Sequence, residues 1–168
     1  MIKKILIGLL VILIAIQFIK PERNLSGDTQ KDIATIYSMS DSVKIVFDKA
    51  CADCHSNKTN YPWYASVQPV AFWLNDHVKD GKRHFNLNEF AGYRIGKQNK
   101  KLEECIEQIK EGEMPLSSYT IIHKEAVLTD AEKTLIINWC QNIVDTIHAK
   151  YPADSLKLQR QQKPGQAK

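Results

Sequence analysis

The polar and apolar positions of the chain change pattern four times. The opening MIKKILIGLLVILIAIQFIK is apolar from Ile5 to Ile19, broken only by Gly8 and Gln17, and has no polar face. Residues 21–40 (PERNLSGDTQKDIATIYSMS) are polar, contain Pro21 and Gly27 and keep no period, which predicts a linker. From Ser40 onward apolar residues recur at helical spacing. Val43, Val46 and Phe47 predict a helix that opens at Ser40 or Asp41 and runs into Cys51. Residues 66–80 predict a second helix, carrying Val70, Phe72, Trp73, Leu74 and Val78 and ended by Gly81. A short helix capped by Asn86 or Asn88 follows, and Leu102, Cys105, Ile106 and Ile109 predict another over residues 99–111, stopped by Gly112. Thr129 with Glu132 three positions later is a capping-box pair. It opens a last helix whose apolar face is Leu135, Ile136, Trp139, Ile143 and Ile147. Residues 151–168 read as a frayed polar tail, and neither strand alternation nor a repeat is visible. The expectation is one all-α domain over residues 41–150.

Composition adds little except by exclusion. At 43% hydrophobic and 25% charged the chain is an ordinary folded protein, and a scattered net charge of +4 provides no basic stripe for nucleic acid. The first 20 residues matter more. Lys3 and Lys4 followed by an apolar run form an export segment, shorter than the roughly 20 residues of a usual spanning helix and within the range of a signal peptide. No small-x-small cleavage site follows, so an uncleaved signal anchor is expected over a cleaved peptide. No cysteine stands near its end for lipoprotein processing. With Lys3 and Lys4 inside, the domain lies on the extracytoplasmic, periplasmic face of a bacterial inner membrane. Thiols there tend to oxidise or be captured, so four cysteines each need an explanation.

Two of them stand in "KACADCHSNKTNYPWY", residues 49–64. A C-x-x-C pair can be a thiol–disulfide couple or half a zinc site. With His immediately after, it can attach a c-type haem. With four Cys and five His in 168 residues, Cys51, Cys54 and His55 would fall into this pattern by chance roughly 0.003 times. Zinc would need a second close pair, whereas Cys105 and Cys140 sit alone on separate helices. A thioredoxin-like couple would need strands around the motif. Haem is therefore preferred: two thiols add across its vinyl groups, and His55 supplies a ligand to the iron.

Whether the iron has a second protein ligand separates an electron carrier from an open site. Met114 is the best candidate, in a loop after Gly112 and stiffened by Pro115. Met39 lies in the linker, and His77, on the second helix, faces either haem or solvent. His84, His123 and His148 read as plain polar residues. Tyr61, Trp63 and Tyr64 suit either haem lining with a propionate contact or ordinary packing. Lys82 and Arg83 are propionate partners or solvated loop charges, and Pro62 or Pro69 could offer a carbonyl to the His55 ring. Cys105 and Cys140 form either a disulfide or two buried thiols.

The order of helix, C-x-x-C-H, intervening helices, Met-Pro loop and last helix resembles class I cytochrome c from Asp41 to Ala149. More narrowly, "CADCHSNKTNYPWY" with "GEMPLSSY" is similar to the haem-binding domain family of membrane-anchored bacterial proteins. The resemblance implies one haem c bound covalently at Cys51 and Cys54, with His55 and Met114 on the iron, outside the cytoplasm. The segment from Trp73 to Tyr93 is longer than in simple cytochromes c. The expected function is that of a mono-haem c-type cytochrome, not an enzyme, which passes single electrons to unidentified redox partner proteins. The alternatives are a gas sensor or peroxidase-like enzyme with an open or displaceable distal site, and a haem scaffold or delivery module. No distal acid–base pair for peroxide chemistry is evident.

Overall fold

The computed structural model describes residues 1–157 and is all-α, with no strand among them. In chain order the helices are α1 (Ile2–Ile16), α2 (Asp41–Ala50), α3 (Ala52–His55), α4 (Val70–His84), α5 (Ile95–Glu111), α6 (Ser117–Thr120), α7 (Asp130–Lys150) and α8 (Ala153–Leu156). Tight 3-10 turns at Ile33–Thr35, Trp63–Ser66, Leu87–Gly92 and Lys124–Ala126 join them. The start signals act as expected. The Ser40 hydroxyl accepts the Val43 N–H, and Thr129 and Glu132 bond each other's backbone in a complete capping box.

The core lies where α5 and α7 pack on α2. Val43, Val46 and Phe47 meet Leu102, Ile106, Ile109, Ile136, Ile143 and Ile147, all buried. Burying each such side chain removes enough apolar surface from water to stabilise by about 1.5–3 kcal/mol.

The helix at 66–80 differs from its expected form. α4 begins at Val70 and continues through Gly81 to His84. Gly81 is there for closeness, not termination: a Cβ on it would stand 2.6 Å from the Cys54 carbonyl oxygen. Helix α4 can therefore lie directly on α3. Its last turn closes on Phe85, whose N–H bonds the Gly81 carbonyl at 2.9 Å.

Residues 21–40, expected as a linker, are packed on the domain. Ile33 is buried in the core, and Asn24 donates to the Ser56 carbonyl at 2.9 Å and to the Thr59 hydroxyl at 3.0 Å. Polarity misled here because the partners of these polar side chains are distant groups of the same chain. The expected tail also begins in order, since Tyr151 and Leu156 pack against the core. Residues 158–168 lie outside the described part.

From Ile5 on, helix α1 is apolar on every side, and its residues up to Ala15 are exposed. At 15 residues it is short. No helix among the described residues is long and apolar enough to cross a membrane.

Candidate functional site

One helical turn organises the site. Cys51 ends α2 and precedes α3, and its carbonyl accepts the N–H groups of Cys54 at 3.2 Å and His55 at 2.9 Å. The turn brings Cys51, Cys54 and His55 to one cavity of about 470 Å³, within the roughly 300–1,000 Å³ typical of a cofactor pocket. Phe47, Ile109, Leu116 and Leu128 give that cavity an apolar lining, and Met114 reaches it from the loop after α5.

The His55 ring is committed at one nitrogen. Its Nδ1 lies 2.8 Å from the Phe85 carbonyl, which can only accept, so Nδ1 carries the proton and Nε2 keeps its lone pair. Burial lowers the pKa of the ring, opposed by the Phe85 and Gly81 carbonyls, and the imidazole stays neutral. A neutral ring with an oriented Nδ1–H is what metal ligation by Nε2 requires. The acceptor is Phe85, not Pro62 or Pro69. Any residue can present a carbonyl, and the continuation of α4 past Gly81 selects this one.

The cysteines are thiols, not disulfides. Burial pushes Cys51 far above its ordinary pKa and lifts Cys54 to about 11, with Asp53 adding to the latter. Cys105 also lines the cavity, and its Sγ lies 4.0 Å from that of Cys140. A disulfide needs about 2.05 Å, so no bridge joins Cys105 to Cys140.

Met114 is placed by the end of α5. Gly112 takes φ +75°, a left-handed conformation that suits glycine, and turns the chain so that the N–H groups of Glu113 and Met114 both meet the Gln108 carbonyl, at 3.0 and 3.2 Å. Asp53 then ties this loop to the motif. Its Oδ2 accepts the Tyr119 hydroxyl at 2.7 Å and its Oδ1 the Asn60 N–H at 3.0 Å, while its carbonyl accepts the Thr59 hydroxyl at 2.6 Å. Tyr119 itself lines the cavity.

Tyr61, Trp63 and Tyr64 do not line it. The Tyr61 hydroxyl accepts the Asn24 N–H at 2.8 Å, Tyr64 meets His123 Nε2 at 2.6 Å, and Trp63 is 81% exposed. The bonds that Asp53 and Asn24 make turn the loop 56–61 away from the cavity, so closeness in sequence did not become contact. Lys82 is engaged away from the cavity, with the Asn24 side chain at 2.6 Å, and Arg83 does not line it but pairs with Asp80, which does, at 2.9 Å. Met39 packs on the core.

Of the polar rim, sequence reasoning singled out only His77, as facing either haem or solvent, and the structure puts it at the cavity. His77, Asp80, His84, Lys101 and Glu104 line the cavity, with Lys101 paired to Glu104. Burial pushes the Glu104 pKa up, but Lys101 and Lys100 outweigh it and hold the carboxyl below its ordinary range. Lys101 and Glu104 lie off the apolar face of α5, and this position was the available signal. Among the described residues no group of three or more His, Cys, Asp or Glu side chains could hold a bare metal ion. The cavity instead brings together the Cys51 and Cys54 thiols, the oriented His55 imidazole and the Met114 thioether, within largely apolar walls to which Cys105 adds a third thiol and His77 and His84 add rim imidazoles. The first four are the groups that a covalently attached haem uses, and the residues present fit it.

No curated protein and no solved structure matches the chain. A model of a haem-binding domain matches residues 11–142, from the middle of α1 through the Cys51–His55 turn and the Met114 loop into α7. The chain belongs to the haem-binding domain family.

Proposed function

We propose that the protein is a mono-haem c-type electron carrier. Cys51 and Cys54 would hold the haem through thioether bonds, and His55 and Met114 would ligate its iron. The observation that carries this reading is that the two thiols, the oriented imidazole and the only methionine in a post-helical loop line one cavity. When bound, the iron supplies a one-electron ferric/ferrous couple. The chain does the rest. Phe85 holds the His55 ring by its Nδ1 proton, the Gln108 carbonyl holds the backbone of Met114, and the apolar walls exclude water. Lys101 and His84 on the rim are donors suited to the haem carboxylates. A thioether ligand favours the ferrous state relative to a second imidazole and raises the potential.

Helix α1 serves as a short signal anchor that keeps the domain on the extracytoplasmic face of the membrane, with Lys3 and Lys4 inside. Redox partners meet the haem edge in brief, small contacts. The protein transfers electrons and transforms no substrate.

Absorption spectra of the haem-matured protein and of Met114→Ala test the assignment. The wild type is expected to be low-spin, with the weak near-infrared ferric band of methionine ligation, and the variant to lose that band and bind CO rapidly when reduced. An unchanged variant spectrum, with CO binding already rapid in the wild type, would remove Met114 from the iron and leave a sensor or enzyme with an open site.

A further inference from the structure

Next to the base of α1 the domain exposes a group of apolar side chains that its own fold does not cover. Val70, Phe72 and Trp73 are the first-turn residues that α4 leaves outside, while Ala71, Leu74 and Val78 go into the interior. Val67 precedes them, and Phe18 and Ile19 come directly after α1, all exposed. The two segments are pinned together. The Gln17 Oε1 accepts the Gln68 N–H at 2.9 Å, the Gln17 Nε2 donates to the Gln68 carbonyl at 3.2 Å, and the Gln68 Nε2 donates to the Ile19 carbonyl at 2.6 Å. Gln68 is buried.

We propose that this surface docks on the lipid bilayer as a continuation of α1, seating the domain in the membrane interface with the rim of its cavity facing the lipid. The proposal rests on the reading of α1 as a membrane segment. Length argues for it first. Fifteen helical residues at about 1.5 Å each span about 22 Å, against a hydrocarbon thickness of about 30 Å. A helix that short draws its flanking residues toward the acyl region. On the domain side these flanking residues are Phe18 and Ile19, with Phe72 and Trp73 beside them. Tryptophan and other aromatic rings are favoured at that depth.

Hydrogen bonding argues for it second. Backbone groups near lipid must be satisfied internally. At this junction the paired glutamine side chains take up the backbone groups of Gln68 and the carbonyl of Ile19. Lys20 stands just beyond the apolar residues, where its long stem can lie along the interface with the ammonium in water.

The consequence bears on electron transfer. The His77 ring packs on Trp73 with centroids 4.2 Å apart, and His77 lines the cavity. Docking places this rim about one helical turn from the bilayer, so the electron partner is a membrane-resident molecule instead of a freely diffusing one.

The test is lipid photolabelling of the full, haem-matured chain. It is reconstituted in phosphatidylcholine vesicles that contain a phosphatidylcholine with a diazirine near the glycerol end of one acyl chain, and the adducts are mapped by mass spectrometry. Ile45 on α2, also exposed and apolar, reports unspecific labelling. The expected result is adducts on α1 and on residues 67–73, the latter several-fold above Ile45 and lowered toward it in Phe72→Asp/Trp73→Asp. Adducts on α1 with residues 67–73 no higher than Ile45 would overturn the docking surface and leave the anchor standing. Residues 67–73 cross-linked to a second copy with no lipid adduct would overturn it too. Labelling of residues 67–73 without α1 would keep the surface and remove the anchor. No lipid adducts on either segment would remove both.

Discussion

Adding a methyl group to Gly81 would place a carbon 2.6 Å from the Cys54 carbonyl oxygen, a backbone atom that cannot swing aside. α4 would have to retreat from α3, and the Phe85 carbonyl would leave the His55 ring. Overpacking of this kind costs about 1–3 kcal/mol. Gly81→Ala is therefore expected to melt several degrees lower by circular dichroism and to retain less covalent haem; a variant with wild-type melting and haem content would show that the close approach is dispensable. The contrast with the motif explains what a sequence discloses at this scale. Cys51, Cys54 and His55 are legible because one helical turn is local geometry. The Phe85 carbonyl is not, since nothing in a side chain marks which backbone oxygen will meet a ring 30 positions away. Tyr61, Trp63 and Tyr64 show the converse error, in which nearness along the chain was read as nearness in space.

The helices were more legible than their ends. Capping signals at Ser40 and Thr129 and the left-handed Gly112 gave boundaries that hold, because each satisfies backbone groups within a few residues. α4 overran its expected stop, since glycine permits close packing as well as termination. α7 adds an ion pair to its cap, with Lys49 Nζ 2.6 Å from the Glu132 carboxylate. The Lys49 bond, together with the smaller effect of the bonds from Thr129, lowers the Glu132 pKa to about 2 from an ordinary 4.5. A depressed carboxyl stabilises the fold fully above its unfolded value, and that contribution fades as pH falls from about 4.5 to 2. Glu132→Gln keeps the capping-box hydrogen bonds and loses only the charge, so it should be less stable than wild type near neutral pH by about the 0.3–1 kcal/mol of a carboxylate in the first helical turn. The difference should close by pH 2 in urea titrations. A gap independent of pH would assign it to packing.

At the scale of the molecule, the cavity is assembled from two parts of the chain. Cys51 to Phe85 supply the thiols and the oriented imidazole, whereas Lys101 to Leu128 supply Met114 and the facing apolar groups. The Tyr119 to Asp53 hydrogen bond joins them. Bonds to charged groups contribute about 1.5–3 kcal/mol, so Tyr119→Phe is expected to lose the methionine band of the ferric protein at a lower temperature while the covalent haem stays attached. A band that melts unchanged would show that the loop is held by its Gln108 contacts alone. The all-helical class could be read from periodicity, and the wrapping of residues 21–40 could not, because Asn24 and Ile33 act through partners far along the chain. Division of the cavity between early and late residues also sets an order in time. During synthesis at about 5–20 residues per second, Cys54 leaves the ribosome about 3–12 seconds before Met114 does. The nascent protein therefore passes through a stage in which the Cys51 and Cys54 sulfurs exist with no facing wall across them.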